Sequence, residues 1–304
     1  MLDGAFERAW RISDAVLRQR AGQICSHLPY HQRWLWDGTP LIGRRVRASS
    51  YHGLGDTVQF IRFAPLLLAI ASDVVIEVQS ALLPLLRAAF PQVPMLPLGG
   101  PLPSCEVAIE LMELPHALRL SPEDLPGPFP YLYAPRLQPR GADSRLRVGL
   151  VWAGGKWRGE RSLPPALLLP LTALPIDLIA LQLGSDPADP GATELLHACR
   201  DTLPDNPTIE ETAALIASLD LVITIDTMVA HLAGALGQPV WTLLDADADW
   251  RWMRHRRDTP WYPTMRLFRQ QKPGDWPCLI DQVIAALTQL THRAQPDQAS
   301  PPVC

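Results

Sequence analysis

The stretch "TIDTMVAHLAGALGQPVW", residues 224–241, decides the fold. The run that leads into it, "LDLVITI" (219–225), is apolar almost throughout and reads as a strand buried on both faces. Asp226 then stands at a corner, placed to cap a helix, and Gly237 stands where that helix must stop. "PVWTLL" (239–244) resumes as a second buried strand. Strand, helix and strand in this order make a βαβ unit, and its sheet is parallel.

The same alternation extends outward in both directions. "LRVGLVW" (146–152) and "IDLIALQ" (176–182) read as strands, and Thr208 with Glu211 forms a capping box for a helix over 209–218. Further upstream, "RVRAS" centred on Val46, "DVVIEV" (73–78) and "EVAIEL" (106–111) are strands, with helices over 57–71 and 80–90. Between the two series, residues 121–140 carry Pro122, Pro126, Pro128, Pro130, Pro135 and Pro139, a linker signal.

The expected fold class is therefore α/β, with two Rossmann-like domains whose parallel sheets face each other across a cleft. An N-terminal helix and connector fill 1–36, with Phe6, Trp10, Ile12, Val16 and Leu17 near helical spacing. An acceptor-side domain spans 37–140 and a donor-binding domain 141–274. A terminal helix and tail, 275–304, are expected to cross back to the first domain. Ligands of parallel sheets sit at the carboxyl ends of the strands.

Composition excludes several classes. The 304 residues are 47% hydrophobic with a formal charge of −4, which supplies two cores and no case for a nucleic-acid binder. Cys25, Cys105, Cys199, Cys278 and Cys304 form no CxxC pair, which reads as reduced thiols in a cytoplasmic protein. Pro164, Pro165, Pro170 and Pro175, with Asp177, rule out a spanning helix in the apolar stretch 163–183. The start "MLDGAFERAW" lacks the apolar segment of a leader. No nucleophile elbow, Walker loop or metal-ligand spacing is visible.

Four constellations carry chemistry. Asp226-Thr227 opens a helix whose first N–H groups lack internal partners and attract an anion such as a diphosphate. Asp226 itself suits sugar hydroxyls, and the bland alternative is a plain N-cap. "YHGLGDTVQFIR" (51–62) repeats the corner in the first half, with Asp56-Thr57 and with Gly53 and Gly55 allowing a tight turn and close approach to a ligand. Two matching corners argue for a shared site. Gly53-Leu54-Gly55 is also half a dinucleotide fingerprint with Glu77 near the ribose position, but Val58 stands where the third glycine belongs. An NAD-dependent oxidoreductase remains an alternative on that ground. "WAGGKWRGERS" (152–162) gathers Lys156, Arg158 and Arg161, either a phosphate site or a solvated loop. In "DADADWRWMRHRRDTPWYPTMRLF" (245–268), Trp250, Trp252, Trp261 and Tyr262 either wall a sugar site or bury a crossover between domains, the reading preferred here. His231 either meets phosphate or sugar or is a satisfied helix residue.

At these residues the chain resembles the family 9 glycosyltransferases, which include the ADP-heptose heptosyltransferases. The motifs are "HGLGDTVQFIRFAPLL", "VGLVWAGG…RSLP", "DLVITIDTMVAHLAGALGQPVW" and "DWRWMRHRRDTPWYPTMRLFRQ…GDW". The likeness runs over about 34–290 and is nearest to the branch that follows tetratricopeptide repeats. It implies a GT-B fold and inverting, metal-independent transfer from a nucleotide-diphosphate sugar, a substrate with no cofactor beside it. It makes Asp56 the base and Lys156 or Arg161 the contact to donor phosphate or sugar. Gln182, Asp226, Thr227, Met228 and His231 complete the donor side, with Met228 where the family often has glycine. The acceptor stays open among a glycan, a lipid-linked sugar and a protein. A nucleotide-sugar-binding module without turnover is the alternative.

Overall fold

The computed structural model describes residues 3–25, 27–28, 33–125, 127–137, 145–155, 161–184, 186 and 188–294. The first half contains α1 (Phe6–Arg20), β1 (Arg45–Ser49), α2 (Leu54–Phe60), α3 (Ala64–Ile70), β2 (Asp73–Val78), α4 (Leu83–Ala89), β3 (Met95–Pro97), β4 (Val107–Glu110) and α5 (Leu114–Ala117). The second contains β5 (Leu146–Val151), β6 (Ile176–Ala180), α6 (Pro190–Ala198), β7 (Asp201–Thr202), α7 (Ile209–Ala217), β8 (Leu221–Ile225), α8 (Met228–Ala235), β9 (Val240–Leu244), β10 (Met265–Arg269) and α9 (Trp276–Ala294).

Two parallel sheets result, in the orders β3-β2-β1-β4 and β10-β9-β8-β5-β6-β7. Numbered from the first strand of each half, both begin 3-2-1-4, and the second continues to 5 and 6. This is the doubly wound order, in which the direction of progression reverses between strands 1 and 4. The reversal falls between β1 and β4 in one sheet and between β5 and β8 in the other. β8 and β9 are buried along their whole length, as their unbroken apolar runs require.

Both acidic corners differ from expectation by a residue or more. α2 begins at Leu54, so extended Gly53 is the N-cap and Asp56 sits in the first turn. There its Oδ2 accepts the Gly53 N–H at 3.0 Å, the half of a capping box that an acid at the third position can make. At the second corner Thr227, not Asp226, is the N-cap, and it makes no side-chain cap bond. Gly237 ends α8 as expected, with φ of 74°. β3, β7, β10, α5 and α6 were not anticipated. The three strands lie at sheet edges, and β3 and β7 are only three and two residues long.

The proline-rich segment is not loose chain. The N–H groups of Tyr131 and Leu132 both donate to Ala235 O at the end of α8, at 3.1 Å each. The Tyr131 hydroxyl donates to Val58 O and accepts from Arg62. The terminal helix also departs from expectation. Instead of crossing back, α9 lays Trp276, Leu279, Ile280, Val283 and Leu287 on the core of the second sheet, beside Leu168 and Leu171. These positions form one helical stripe, and the apolar 3-10 segment Pro165–Ala173 is the surface they cover.

The crossing is made by the aromatic segment 250–262. Trp252, Trp261 and Tyr262 are fully buried and join one continuous core with Phe60 and Phe63 of the first half. The Trp261 ring meets Phe60 edge-on at 5.8 Å. Buried Arg62 donates to Trp261 O at 2.6 Å and lies over the rings of Tyr131 and Tyr262. Its charge is thus spent on carbonyls and π-faces rather than on water. Among the described residues no helix is long and apolar enough to cross a membrane.

Candidate functional site

One cavity of about 680 Å³ lies where the two halves meet. From the first half it is lined by 51–56 and Met112, and from the second by Gly154, Gly155, Arg161, Asp226, Thr227, Met228, His231, Asp249, Trp250 and Arg251. The loops after β1, β4, β5 and β8 all contribute, and those strands flank the two reversal points. Strand order puts each corner at the crevice of its own sheet, and the packing of α2 against α8 turns both corners onto one space.

The contact between the corners is close. A Cβ on Gly55 would stand 2.9 Å from His231 Cδ2 and 3.2 Å from Met228 Cα. Gly55 thus lets α2 press on the first turn of α8, where the sequence suggested approach to a ligand. Asp56 reaches across through Oδ1, which accepts from the Arg251 guanidinium at 2.8 Å. Arg251 Nε stands 3.4 Å from Asp249 Oδ1. Burial works against the Arg251 charge, but Asp249, Asp56 and Asp226 outweigh it and raise its pKa further.

Asp226 is 7% exposed. Burial pushes its carboxyl up, against the pull of Arg251 and Arg161. Arg161 donates to Asp226 O at 3.2 Å and stands 3.8 Å from Oδ2, while its Nε has no partner. Thr227 lines the cavity with its hydroxyl 3.1 Å from that of Thr224. His231 is fixed from behind. Its Nδ1 is 3.0 Å from the Tyr262 hydroxyl and its ring stacks on Trp252 at 5.3 Å. Burial, with the charges of Arg251 and Arg62, drives its pKa well below the usual range, so the ring is neutral.

Gln182 does not line the cavity. Its Oε1 accepts the N–H groups of Trp152 and Ala153, at 3.0 and 2.8 Å, and so shapes the loop that follows β5. Lys156 lies outside the described residues. Gly53, Gly55, Asp56, Arg161, Asp226, Thr227, Met228 and His231 all meet at the cavity.

Sequence reasoning missed Arg251, His52 and Glu110. The signal for Arg251 was its place between two tryptophans in a segment already singled out. His52 lines the cavity, and its Nδ1 bonds Glu110 at the end of β4. That bond raises the His52 pKa, against desolvation, and Asp56 adds to the rise. Only the pairing of β1 with β4 joins these two residues.

Residues 192–279 match the model of glycosyltransferase family 9 (heptosyltransferase). Over those residues the sequence match supports that family. Protein FlbA of Caulobacter vibrioides is 26% identical over 292 residues, which cover 83% of this chain and 48% of that protein. The chain thus spans about half the length of this curated relative. The glycosyltransferase TibC from enterotoxigenic E. coli H10407 shares the fold with a TM-score of 0.53 at 14% identity, over 80% of this chain and 67% of that one. The family 9 glycosyl transferase of Veillonella parvula DSM 2008 gives 0.52 at 12% identity, over 84% and 99%. The family match over 192–279 is to glycosyltransferases, and the solved structures share the fold.

Proposed function

We propose that the chain is an inverting glycosyltransferase of the two-domain GT-B type. It moves a sugar from a nucleotide-diphosphate donor to an acceptor hydroxyl without a metal. The observation that carries this reading is the single cavity that holds Asp56 and Asp226 together with Arg161 and Arg251.

In the reaction, the acceptor oxygen attacks the anomeric carbon from the face opposite the diphosphate. Asp56 takes the hydroxyl proton as the new C–O bond forms. The bond from the anomeric carbon to the diphosphate oxygen breaks, and the added charge falls to Arg161, Arg251 and the first N–H groups of α8. Asp226 and Thr227 face the donor sugar and His231 backs that wall. Arg251 holds Asp56 while the cavity is empty of donor. An incoming diphosphate competes for the guanidinium and frees Oδ1, so donor binding precedes proton transfer.

The reading places the protein in the cytoplasm. It also assigns the chain to the branch that follows tetratricopeptide repeats, on the long motif 249–270. ADP-heptose is the first donor to try, with UDP and GDP sugars beside it. The test is release of nucleoside diphosphate by the wild type and by Asp56→Ala across that panel. Turnover lost in the variant supports the reading. Equal rates remove Asp56 as base, and binding without turnover in the wild type replaces the enzyme with a nucleotide-sugar-binding module.

A further inference from the structure

A second cavity, also of about 680 Å³, opens beside β10 and shares no lining residue with the first. We infer that it is a binding site for a phosphate-bearing ligand, held by Arg254, Arg257 and Arg269. The two cavities lie on either side of one strap. Asp249, Trp250 and Arg251 face the first, and residues 254–257 face the second.

The strap is held in a costly shape. Met253 and His255 have φ of 51° and 57°, the left-handed region that side chains disfavour. Arg269 keeps it there by donating to Trp252 O at 3.2 Å and Met253 O at 2.5 Å, and Leu267 N–H donates to Arg257 O at 2.8 Å. The outcome is four successive basic residues, 254–257, around one hollow whose other wall carries Arg266 and Arg269.

Little answers this charge. Arg256 is paired with Asp258, and Arg266 lies over the rings of Trp241 and Phe268. The side chains of Arg254 and Arg257 have no hydrogen-bond or ion-pair partner among the described residues. Arg254 stands near enough to Arg269 for like-charge repulsion, which adds to burial in lowering the Arg269 pKa, while Asp245 opposes it. Gathering like charges this closely is locally unfavourable, and an anion seated among them relieves the repulsion.

The hollow also holds unused donors below its surface. Gln270 is 4% exposed, and its Nε2 has no partner. The same is true of Arg269 Nε. Gln282 and Gln289 of α9 line the far side. A buried donor left unpaired costs about 1–3 kcal/mol, a deficit that an oxyanion with several acceptor oxygens removes. Guanidinium forks match phosphate oxygens in pairs, so phosphate is the anion that fits. The size of the hollow suits a small organic phosphate, and a phosphate headgroup at a bilayer surface presents the same chemistry.

Inorganic pyrophosphate is the probe, titrated calorimetrically into the full chain. The wild type should bind it at two sites. Arg254→Ala/Arg257→Ala, both exposed positions, should lose one site, with affinity there falling about tenfold or more. Arg161→Ala should weaken the other site instead. Gln282→Glu/Gln289→Glu places carboxylates in the hollow from exposed helix positions and should weaken the same site as the arginine pair. Co-sedimentation with phosphatidylglycerol vesicles, against phosphatidylcholine, separates the sources. Sedimentation that depends on Arg254 and Arg257 identifies a headgroup, and pyrophosphate binding without it identifies a free organic phosphate. Unchanged stoichiometry and affinity in both double variants overturn the inference, whatever the first cavity proves to do.

Discussion

Asp56 and Arg251, 195 positions apart in the chain, meet at 2.8 Å and tie the first helix of one sheet to the aromatic strap of the other. Both side chains are mostly buried, at 18% and 10% exposure. Removing one partner of such a pair leaves a stranded charge, at a cost of about 3–5 kcal/mol. Arg251→Met should therefore lower the urea midpoint strongly. Adding Asp56→Asn to it should restore part of the loss, since Asp56 is then no longer a stranded charge, while Asp249 and Asp226 still lack the guanidinium. Additive losses in the double variant would show that the ion pair contributes nothing of its own.

The approach of α2 to α8 gives a second expectation. Alanine at Gly55 puts a Cβ 3.2 Å from a backbone atom, Met228 Cα, and 2.9 Å from the ring of His231. The ring is itself trapped between Trp252 and Tyr262, so neither neighbour yields freely. Gly55→Ala should lose about 1–3 kcal/mol by overpacking. Gly155→Ala, with nothing within 4 Å among the described residues and no positive φ, should leave stability unchanged. Thermal unfolding of the two variants side by side checks the contrast.

Much of this architecture was legible because it is written in local signals. Two-face burial marked β8 and β9, and the Thr208–Glu211 box marked the start of α7. That Asp56 and Asp226 each stand at the crevice of their own sheet followed from strand order; that both line one cavity depends on how the sheets pack together. The rest depends on side-chain partners that no local pattern names. Asp56 was read as a helix opener, yet Gly53 caps the helix and Asp56 pairs with a residue in the other half. Gln182 sits at a strand end, where ligands are expected, and spends its amide oxygen on Trp152 and Ala153 instead. The stripe on α9 announced a buried face but not which sheet would cover it.

The two histidines of the cavity should titrate in opposite ways. His52 is held protonated above its ordinary range by the bond to Glu110, whereas burial keeps His231 neutral. The His52–Glu110 ion pair is thus fully present below pH 6.5 and is lost as pH rises through the raised pKa. Proton–nitrogen correlation spectra of the imidazoles should show His52 titrating above 6.5 and His231 not titrating near neutrality. Glu110→Gln should bring the His52 transition down. An unmoved transition would mean that Glu110 is not its partner in solution.

Stability itself should fall toward neutral pH through Glu113. Its carboxylate lies behind the His52–Glu110 pair and accepts the Glu110 N–H at 3.0 Å. Burial, aided by the Glu110 charge, pushes its pKa from 4.5 to about 7 against that hydrogen bond. Between these values the folded chain keeps a proton that the unfolded chain has released. The folded state binds more protons there, so stability declines as pH rises through the window and levels off above it. The decline amounts to about 3 kcal/mol at most. Glu113→Gln keeps an oxygen for the Glu110 N–H and carries no charge to desolvate. Its urea midpoint should lose the part of the decline that Glu113 causes and should exceed that of the wild type at pH 8. Wild-type and variant midpoints that run parallel across the window would place Glu113 in contact with solvent.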